Sequence, residues 1–151
     1  MEWKSSVSSQ EAEILLVEDN PGDVRLVREL FIDASIANTL HAVATEEEAL
    51  DFLNKRGEFA DTPRPDIILL DWHLPQATGE DVLRAIKNNH ELDQVPVIVL
   101  TGSTAGEDLL ISSEVQPDAY LTKPLNPDDF VSLIRSFELF WLTVLRSSSN
   151  P

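Results

Sequence analysis

Four short apolar runs in this chain are each followed by hydrophilic residues whose types suit one kind of chemistry. They are the acidic pair Glu18-Asp19, then Asp71, Thr101 and Lys123. Neighbouring carboxylates repel each other, and a Mg²⁺ ion, which prefers oxygen ligands, would offset that repulsion. A lysine adds a cation for phosphate oxygens, and a threonine hydroxyl can donate a hydrogen bond to one. Together these groups suit a site that moves a phosphoryl group onto a carboxylate.

Each of these residues has a simpler interpretation when it is taken alone. An Asp at the end of a strand or a Thr before Gly is usually a turn residue, and a Lys before Pro is usually solvated. The joint pattern at successive strand ends indicates a site far more strongly than any single position does. The elements that carry the residues therefore decide between the two interpretations.

Apolar runs alternate with amphipathic segments, and this alternation predicts five strands and five helices. Continuous runs of Ile, Val and Leu are typical of a parallel sheet with helices on both faces. Right-handed crossovers give a doubly wound α/β sheet, in which functional residues gather at the carboxyl ends of the strands. Thr45 followed by Glu48 is a capping-box signature. Strands are predicted at 14–17, 40–44, 66–71, 95–100 and 119–122, and helices after Pro21, from Thr45 to about 57, about 82–89, about 105–115 and about 127–146.

The composition is strongly acidic, with 27 acidic against 11 basic residues and a net charge of −16. Such a surface disfavours nucleic acid, whose phosphates need Lys and Arg. A dispersed acidic excess also suggests the hypothesis of a halophilic source, because salt screens self-repulsion. No apolar run approaches a membrane span, and no signal peptide is seen, so we expect a cytoplasmic protein. We expect a flexible tail at 1–12, one domain at 13–146, a tail at 147–151 and no output domain.

The chain from about residue 13 to 145 resembles the receiver domains of two-component response regulators. That resemblance implies a flavodoxin-like fold and a role in a phosphorelay. It depends on an acidic pair, an Asp followed three and four residues later by Leu-Pro, a Thr, and a Lys-Pro pair. The matching segments are ILLVEDN at 14–20, DIILLDWHLP at 66–75, VIVLTG at 97–102 and DAYLTKP at 118–124.

The resemblance implies a phosphoacceptor and a Mg²⁺ site. Asp71 matches the phosphoacceptor, and Asp19 matches the carboxylate that binds the metal directly. Glu18 matches the acidic neighbour of that ligand, and His73 matches the position whose backbone carbonyl also binds the metal. We do not expect the His73 ring to be a ligand, because Mg²⁺ prefers oxygen.

The resemblance also implies a switch. Thr101 matches the hydroxyl that turns toward the phosphoryl group, which the Gly102 backbone would help to hold, and Lys123 matches the lysine that pairs with that group. Tyr120 lies where the family has an aromatic residue that swings inward with the threonine. The alternative for Tyr120 is an ordinary aromatic residue in the core or at its rim.

Three further segments are EDNPGDVRLV at 18–27, EFA at 58–60 in the long loop, and FELFWL at 137–142. With them the chain resembles the small receivers that include the cyanobacterial phytochrome response regulator, many of which dimerise. The last predicted helix has more apolar residues than one core-facing stripe needs. The central stripe is interpreted as core. We expect the remainder, with Phe137, Phe140 and Trp141, to form a homodimer interface.

These expectations combine into a single-domain response regulator that accepts a phosphoryl group on Asp71 and signals by a conformational or dimerisation switch. Its partner would be a sensor histidine kinase or a histidine phosphotransfer protein. It would catalyse only its own phosphorylation and dephosphorylation and would not be an enzyme in the metabolic sense. One alternative is a phosphorylation-independent interaction module. Another is a haloacid-dehalogenase-like phosphatase, which is disfavoured because His73 stands where those enzymes have a second Asp.

Overall fold

The computed structural model describes residues 11–74, 77–102 and 115–140, and this part of the chain forms an α/β fold. Four α-helices lie in it: α1 (Pro21–Asp33), α2 (Glu46–Leu53), α3 (Glu80–Lys87) and α4 (Pro127–Phe140). The strands are β1 (Ala12–Val17), β2 (Asn38–Val43), β3 (Ile67–Asp71), β4 (His73–Leu74), β5 (Ala77–Thr78), β6 (Val97–Thr101) and β7 (Ala119–Thr122), with a 3-10 turn at Gly57–Phe59.

Five of the strands form one parallel sheet in the order β2-β1-β3-β6-β7. The other two, β4 and β5, form a two-residue antiparallel pair directly after β3. The strand order reverses between β1 and β3, which is the switch point of a doubly wound sheet. The predicted fold class is therefore confirmed, and its functional edge is the one where β1, β3, β6 and β7 end.

The central strands carry the core because alternate side chains point to opposite faces of the sheet. Leu15 and Ile68 lie in a buried cluster with residues of α2 and α3. Ile14 and Ile67 lie in a second cluster on the other face, with residues of α1 and α4. Both faces of β3 and β6 are covered, which explains why their sequences are continuously apolar.

Side chains fix where two helices begin. The Asn20 side chain accepts hydrogen bonds from the backbone N–H groups of Gly22 and Asp23, at 2.8 and 3.2 Å, and caps α1. The predicted cap of α2 is confirmed, since the Glu48 N–H donates to the Thr45 hydroxyl at 3.1 Å. The Glu48 carboxylate then accepts a hydrogen bond from the N–H of Ala44, at 2.9 Å.

Several predicted boundaries differ from those observed. Helix α2 ends at Leu53 and not near residue 57, because Lys55 adopts a left-handed backbone conformation with φ of 55°. Strand β1 begins at Ala12, the last residue of the predicted N-terminal tail. All but the last residue of the helix predicted at about 105–115, the end of the last helix beyond Phe140 and most of both tails lie outside the described residues. No helix of the described ranges is long and apolar enough to cross a membrane.

Candidate functional site

The residues singled out by the sequence lie at the carboxyl ends of neighbouring strands. Glu18 follows β1, Asp71 ends β3, Thr101 ends β6 and Lys123 follows β7. One carboxylate oxygen from each of Glu18, Asp19 and Asp71 lies within 4.8 Å of the others. Glu18 and Asp71 are buried, and Asp19 is exposed to solvent. These three carboxylates form an acidic cluster, and the cluster is accessible to solvent at Asp19.

Lys123 provides a positive charge beside the acidic cluster. Its ammonium lies 2.7 Å from Glu18 Oε1, 3.0 Å from Asp23 Oδ2 and 3.5 Å from Asp71 Oδ2. The Lys123 N–H also donates to the carbonyl oxygen of Thr101 at 2.7 Å, which fixes the backbone where the side chain begins. The lysine is therefore held by the same strand ends that carry the carboxylates.

Burial and neighbouring polar groups shift the pKa values of both partners in the ion pair between Glu18 and Lys123. Burial, together with a hydrogen bond to Asp71, raises the pKa of Glu18 from its ordinary 4.5 to about 7, against the opposing effect of Lys123. Burial alone would lower the pKa of Lys123, but hydrogen bonds to Glu18 and Asp23 and the nearby charge of Asp71 raise it above its ordinary value. For Glu18, burial and the neighbouring Asp71 thus outweigh the effect of Lys123.

Backbone contacts fix the end of β3, where Asp71 lies. Asp71 Oδ1 accepts a hydrogen bond from the N–H of His73 at 3.0 Å, and the Trp72 N–H donates to the carbonyl oxygen of Leu100 at 2.9 Å. Gly79 packs so closely that a Cβ there would lie 3.0 Å from the Asp71 carbonyl oxygen. Asp71 is 5% exposed, so the orientation of its carboxylate is set by the fold around it.

The two predicted switch residues have opposite environments. Thr101 is fully buried at the end of β6, where it pairs with Thr122 of β7. Tyr120 is 43% exposed and so lies at the surface in this structure, not in the core. Their roles stay predictions, as do those of the residues that line the acidic cluster.

The site contains one carboxylate that the sequence analysis did not single out. Asp23 lies in the first turn of α1 and contacts Lys123, 100 residues away in the chain. A sequence signal for it exists, because the helix that follows the Glu18-Asp19 pair must start at the same edge of the sheet. An acidic residue in the first turn of that helix is therefore placed near the other strand ends.

The last helix is tied to the core through its central stripe. Phe130 and Ile134 are buried, and the Phe130 ring meets Phe31 of α1 edge to face with centroids 5.3 Å apart. Phe137 is partly buried against the same cluster. The side chain of Phe140 and the whole of Trp141 lie outside the described residues, so the predicted dimer surface stays a prediction.

The parallel sheet, the carboxylates at its edge and a family comparison together define the class of this protein. The chain belongs to the response regulator receiver domain family, whose model matches residues 14–135. Response regulator Rcp1 of Synechocystis sp. is 41% identical over 129 residues, which cover 85% of this chain and 88% of that protein.

Solved structures of similar proteins give the same result. The crystal structure of the phosphorylated cyanobacterial phytochrome response regulator RcpA matches with a TM-score of 0.73 at 36% identity, over 87% of this chain and 94% of that one. The Mn(2+)-bound form of Rcp1 matches with a TM-score of 0.71 at 40% identity, over 88% and 96% of the two chains. This chain is therefore a response regulator receiver of the Rcp1 type, and its acidic cluster is consistent with the cation binding of that family.

Proposed function

We propose that this receiver accepts a phosphoryl group on Asp71 from a sensor histidine kinase or a histidine phosphotransfer protein. The observation that carries the proposal is the convergence of three carboxylates within 4.8 Å of one another, with the Lys123 ammonium 3.5 Å from Asp71 Oδ2. Such a cluster is costly unless cations offset its negative charge. The match to a phosphorylated relative supports the same chemistry.

The residues at the cluster fit a hard divalent cation. Glu18, Asp19 and Asp71 offer carboxylate oxygens, and the backbone carbonyl of His73 is a fourth ligand by family resemblance. The burial of Glu18 and Asp71 beside each other supports this fit, because a bound cation would offset their charge. Bound Mg²⁺ would supply positive charge to the carboxylates and to the phosphoryl oxygens.

The protein's own residues then divide the work of transfer. An oxygen of the Asp71 carboxylate forms the new bond to phosphorus as the bond from phosphorus to the donor nitrogen breaks, and the donor imidazole keeps that electron pair. Lys123 offsets charge on the phosphoryl oxygens. The hydroxyl of Thr101 and the backbone N–H of Gly102 donate hydrogen bonds to them. Hydrolysis, in which water takes the phosphoryl group, returns Asp71 to its carboxylate form.

The signal leaves the site through a change in position of the switch residues. Thr101 would turn toward the phosphoryl group, and Tyr120, which is exposed here, would move into the space beside it. We further propose that the receiver forms a homodimer through the last helix, with Phe137, Phe140 and Trp141 at the interface. The phosphorylation-dependent switch would then act on the contact between two copies of this protein.

Intact-mass measurement after incubation with acetyl phosphate and Mg²⁺ tests the proposal. We expect one phosphoryl adduct on the wild-type protein, none on Asp71→Asn and none with excess EDTA. Asp93→Asn makes the same change at an exposed position and should leave the adduct unchanged. A folded wild-type protein that forms no adduct, from acetyl phosphate or from a phosphorylated histidine phosphotransfer protein, would favour the interaction module instead.

A further inference from the structure

The Asp23 carboxylate contacts Lys123 without belonging to the acidic cluster. Its Oδ2 accepts a hydrogen bond from the Lys123 ammonium at 3.0 Å, and its side chain is 38% exposed. The cluster of mutually close carboxylates consists of Glu18, Asp19 and Asp71. Asp23 therefore differs from the other two carboxylates that contact Lys123, because both of those are buried and both are proposed cation ligands.

The three partners of the lysine change differently when the site is in use. A lysine ammonium has three hydrogens to donate, and here Glu18, Asp23 and Asp71 lie around it. A divalent cation on Glu18 and Asp71 would withdraw negative charge from Lys123. Asp23 would keep its charge, and it is then the one of these three partners that still holds the ammonium beside the acceptor.

An anchor of this kind matters because a lysine side chain is long and flexible. Its ammonium is strongly hydrated and sits on a four-carbon stem, so that water competes for it. The Lys123 side chain is 22% exposed, which leaves it a route to solvent. A partner on the solvent side of the lysine opposes that escape.

The backbone of Asp23 is itself fixed, as an anchor requires. The Asn20 side chain that caps α1 accepts hydrogen bonds from the N–H groups of Gly22 and Asp23. The buried side chains of Val27 and Phe31 hold the same helix against the sheet. The Asp23 carboxylate is thus presented from a rigid helix, whereas its partner comes from the loop after β7.

We propose that Asp23 is a positioning residue that holds the ammonium of Lys123 at the phosphoacceptor Asp71 during phosphoryl transfer. The inference rests on the proposed function, because it assigns Asp23 a part in that reaction. The proposed reaction uses Glu18, Asp19 and Asp71 and does not itself require a fourth carboxylate. Asp23 contributes to the reaction by keeping Lys123 in a fixed position.

The test compares Asp23→Asn with Asp33→Asn, which makes the same change at an exposed position near the other end of the same helix. The initial rate of adduct formation with acetyl phosphate is measured at saturating Mg²⁺. We expect Asp23→Asn to be about three- to fivefold slower, as the loss of a partly exposed ion pair predicts. Asp33→Asn should match the wild type. In a Lys123→Met background, the Asp23→Asn change should have no further effect on the rate.

A second readout does not depend on phosphorylation. The chain has four lysines, so an NMR spectrum of the lysine ammonium groups is simple enough to assign Lys123 by its loss in Lys123→Met. With Mg²⁺ present, we expect a slowly exchanging Lys123 signal in the wild type and in Asp33→Asn, and its broadening in Asp23→Asn. If the Asp23 charge only stabilised the first turn of α1, that signal would be unchanged.

The outcomes separate this inference from the proposed function. An Asp23→Asn variant that reacts at the wild-type rate or faster overturns the inference even when the wild type forms the adduct. An unchanged Lys123 signal in that variant overturns it as well. If the wild type forms no adduct but its Lys123 signal depends on Asp23, the positioning contact stands and the proposed function fails.

Discussion

Replacing Glu18 with glutamine should make the cation-free protein more stable while it weakens the binding of Mg²⁺. Glu18 is buried within hydrogen-bonding distance of Lys123 and shares the acidic cluster with Asp71. Ionised, it adds to the repulsion in that cluster. Glutamine has a similar shape and no charge, so the repulsion falls while an oxygen remains to face the lysine.

The size of the effect follows from the pKa of Glu18, which rises from 4.5 to about 7 in the folded protein. Between these values the folded protein holds a proton that the unfolded chain has released, so the free energy of unfolding falls as pH rises through this interval. By about pH 8 the loss amounts to roughly 3 kcal/mol. We therefore expect Glu18→Gln to be more stable than the wild type by about 1 to 3 kcal/mol at that pH, and to differ little from it near pH 5.

Urea unfolding followed by circular dichroism, with EDTA and a high salt concentration, measures this difference. High salt screens the long-range repulsion that comes from the net charge of −16. Glu58→Gln, at an exposed position, is the matched control and should be close to the wild type at both pH values. A Glu18→Gln variant that is less stable than the wild type at pH 8, or equally stabilised at pH 5 and 8, would refute the reasoning. Added Mg²⁺ should stabilise the wild type more than the variant.

Three further predictions concern the lysine, the support of the acceptor and the dimer. Lys123→Met leaves buried carboxylates without their cation and should lower the free energy of unfolding by about 1 to 3 kcal/mol in EDTA. Mg²⁺ should restore part of this loss. Equal stability of the variant and the wild type in EDTA would contradict the prediction. Gly79→Ala puts a Cβ 3.0 Å from the Asp71 carbonyl oxygen. It should lower the free energy of unfolding in urea by about 1 to 3 kcal/mol and slow the formation of the adduct. No effect on either measurement would contradict this and show that the backbone shifts at little cost. The double variant with Phe140 and Trp141 replaced by Ser should be monomeric by light scattering under conditions in which the wild type is a dimer, and an unchanged mass would argue against the last helix as the interface.

The sheet and the convergence of the site could be predicted because both depend on local patterns. The apolar runs that contain Ile67–Asp71 and Val97–Thr101 identify buried parallel strands without any knowledge of their neighbours. Once the strands are parallel, their carboxyl ends must lie at one edge of the sheet. The approach of Glu18 to Asp71 and Lys123 then follows from topology alone.

Contacts that depend on how a helix packs were not accessible in the same way. The sequence places Asp23 near the strand ends, but its bond to Lys123, 100 positions away, exists only because α1 packs with its first turn beside the loop after β7. Asp66 and Asp118 have a structural role instead. Each accepts a hydrogen bond from the backbone of a neighbouring strand, at Glu13 and Val97. Aspartates thus help to fix strand pairing at the amino ends of the strands, whereas at the carboxyl ends they form the candidate site.

The end of α2 was also beyond local rules. The apolar pattern ends at Leu53, and the next glycine, Gly57, predicts the end of the helix near it because glycine is the usual terminator. The helix ends earlier because Lys55 takes up the left-handed conformation itself, and the N–H of Arg56 donates to the carbonyl oxygen of Asp51 at 2.9 Å. A lysine in that conformation has no sequence signature, since glycine and asparagine are the residues that favour it.

The central claim is that Asp71 carries the phosphoryl group, and chemical mapping of the adduct tests it most directly. Borohydride reduction converts an aspartyl phosphate to homoserine, and peptide sequencing by mass spectrometry then locates the converted residue. The proposed function predicts homoserine at position 71 alone, and only after incubation with both phosphodonor and Mg²⁺. Homoserine at another aspartate, or none in a protein that carries the added mass of a phosphoryl group, would contradict it.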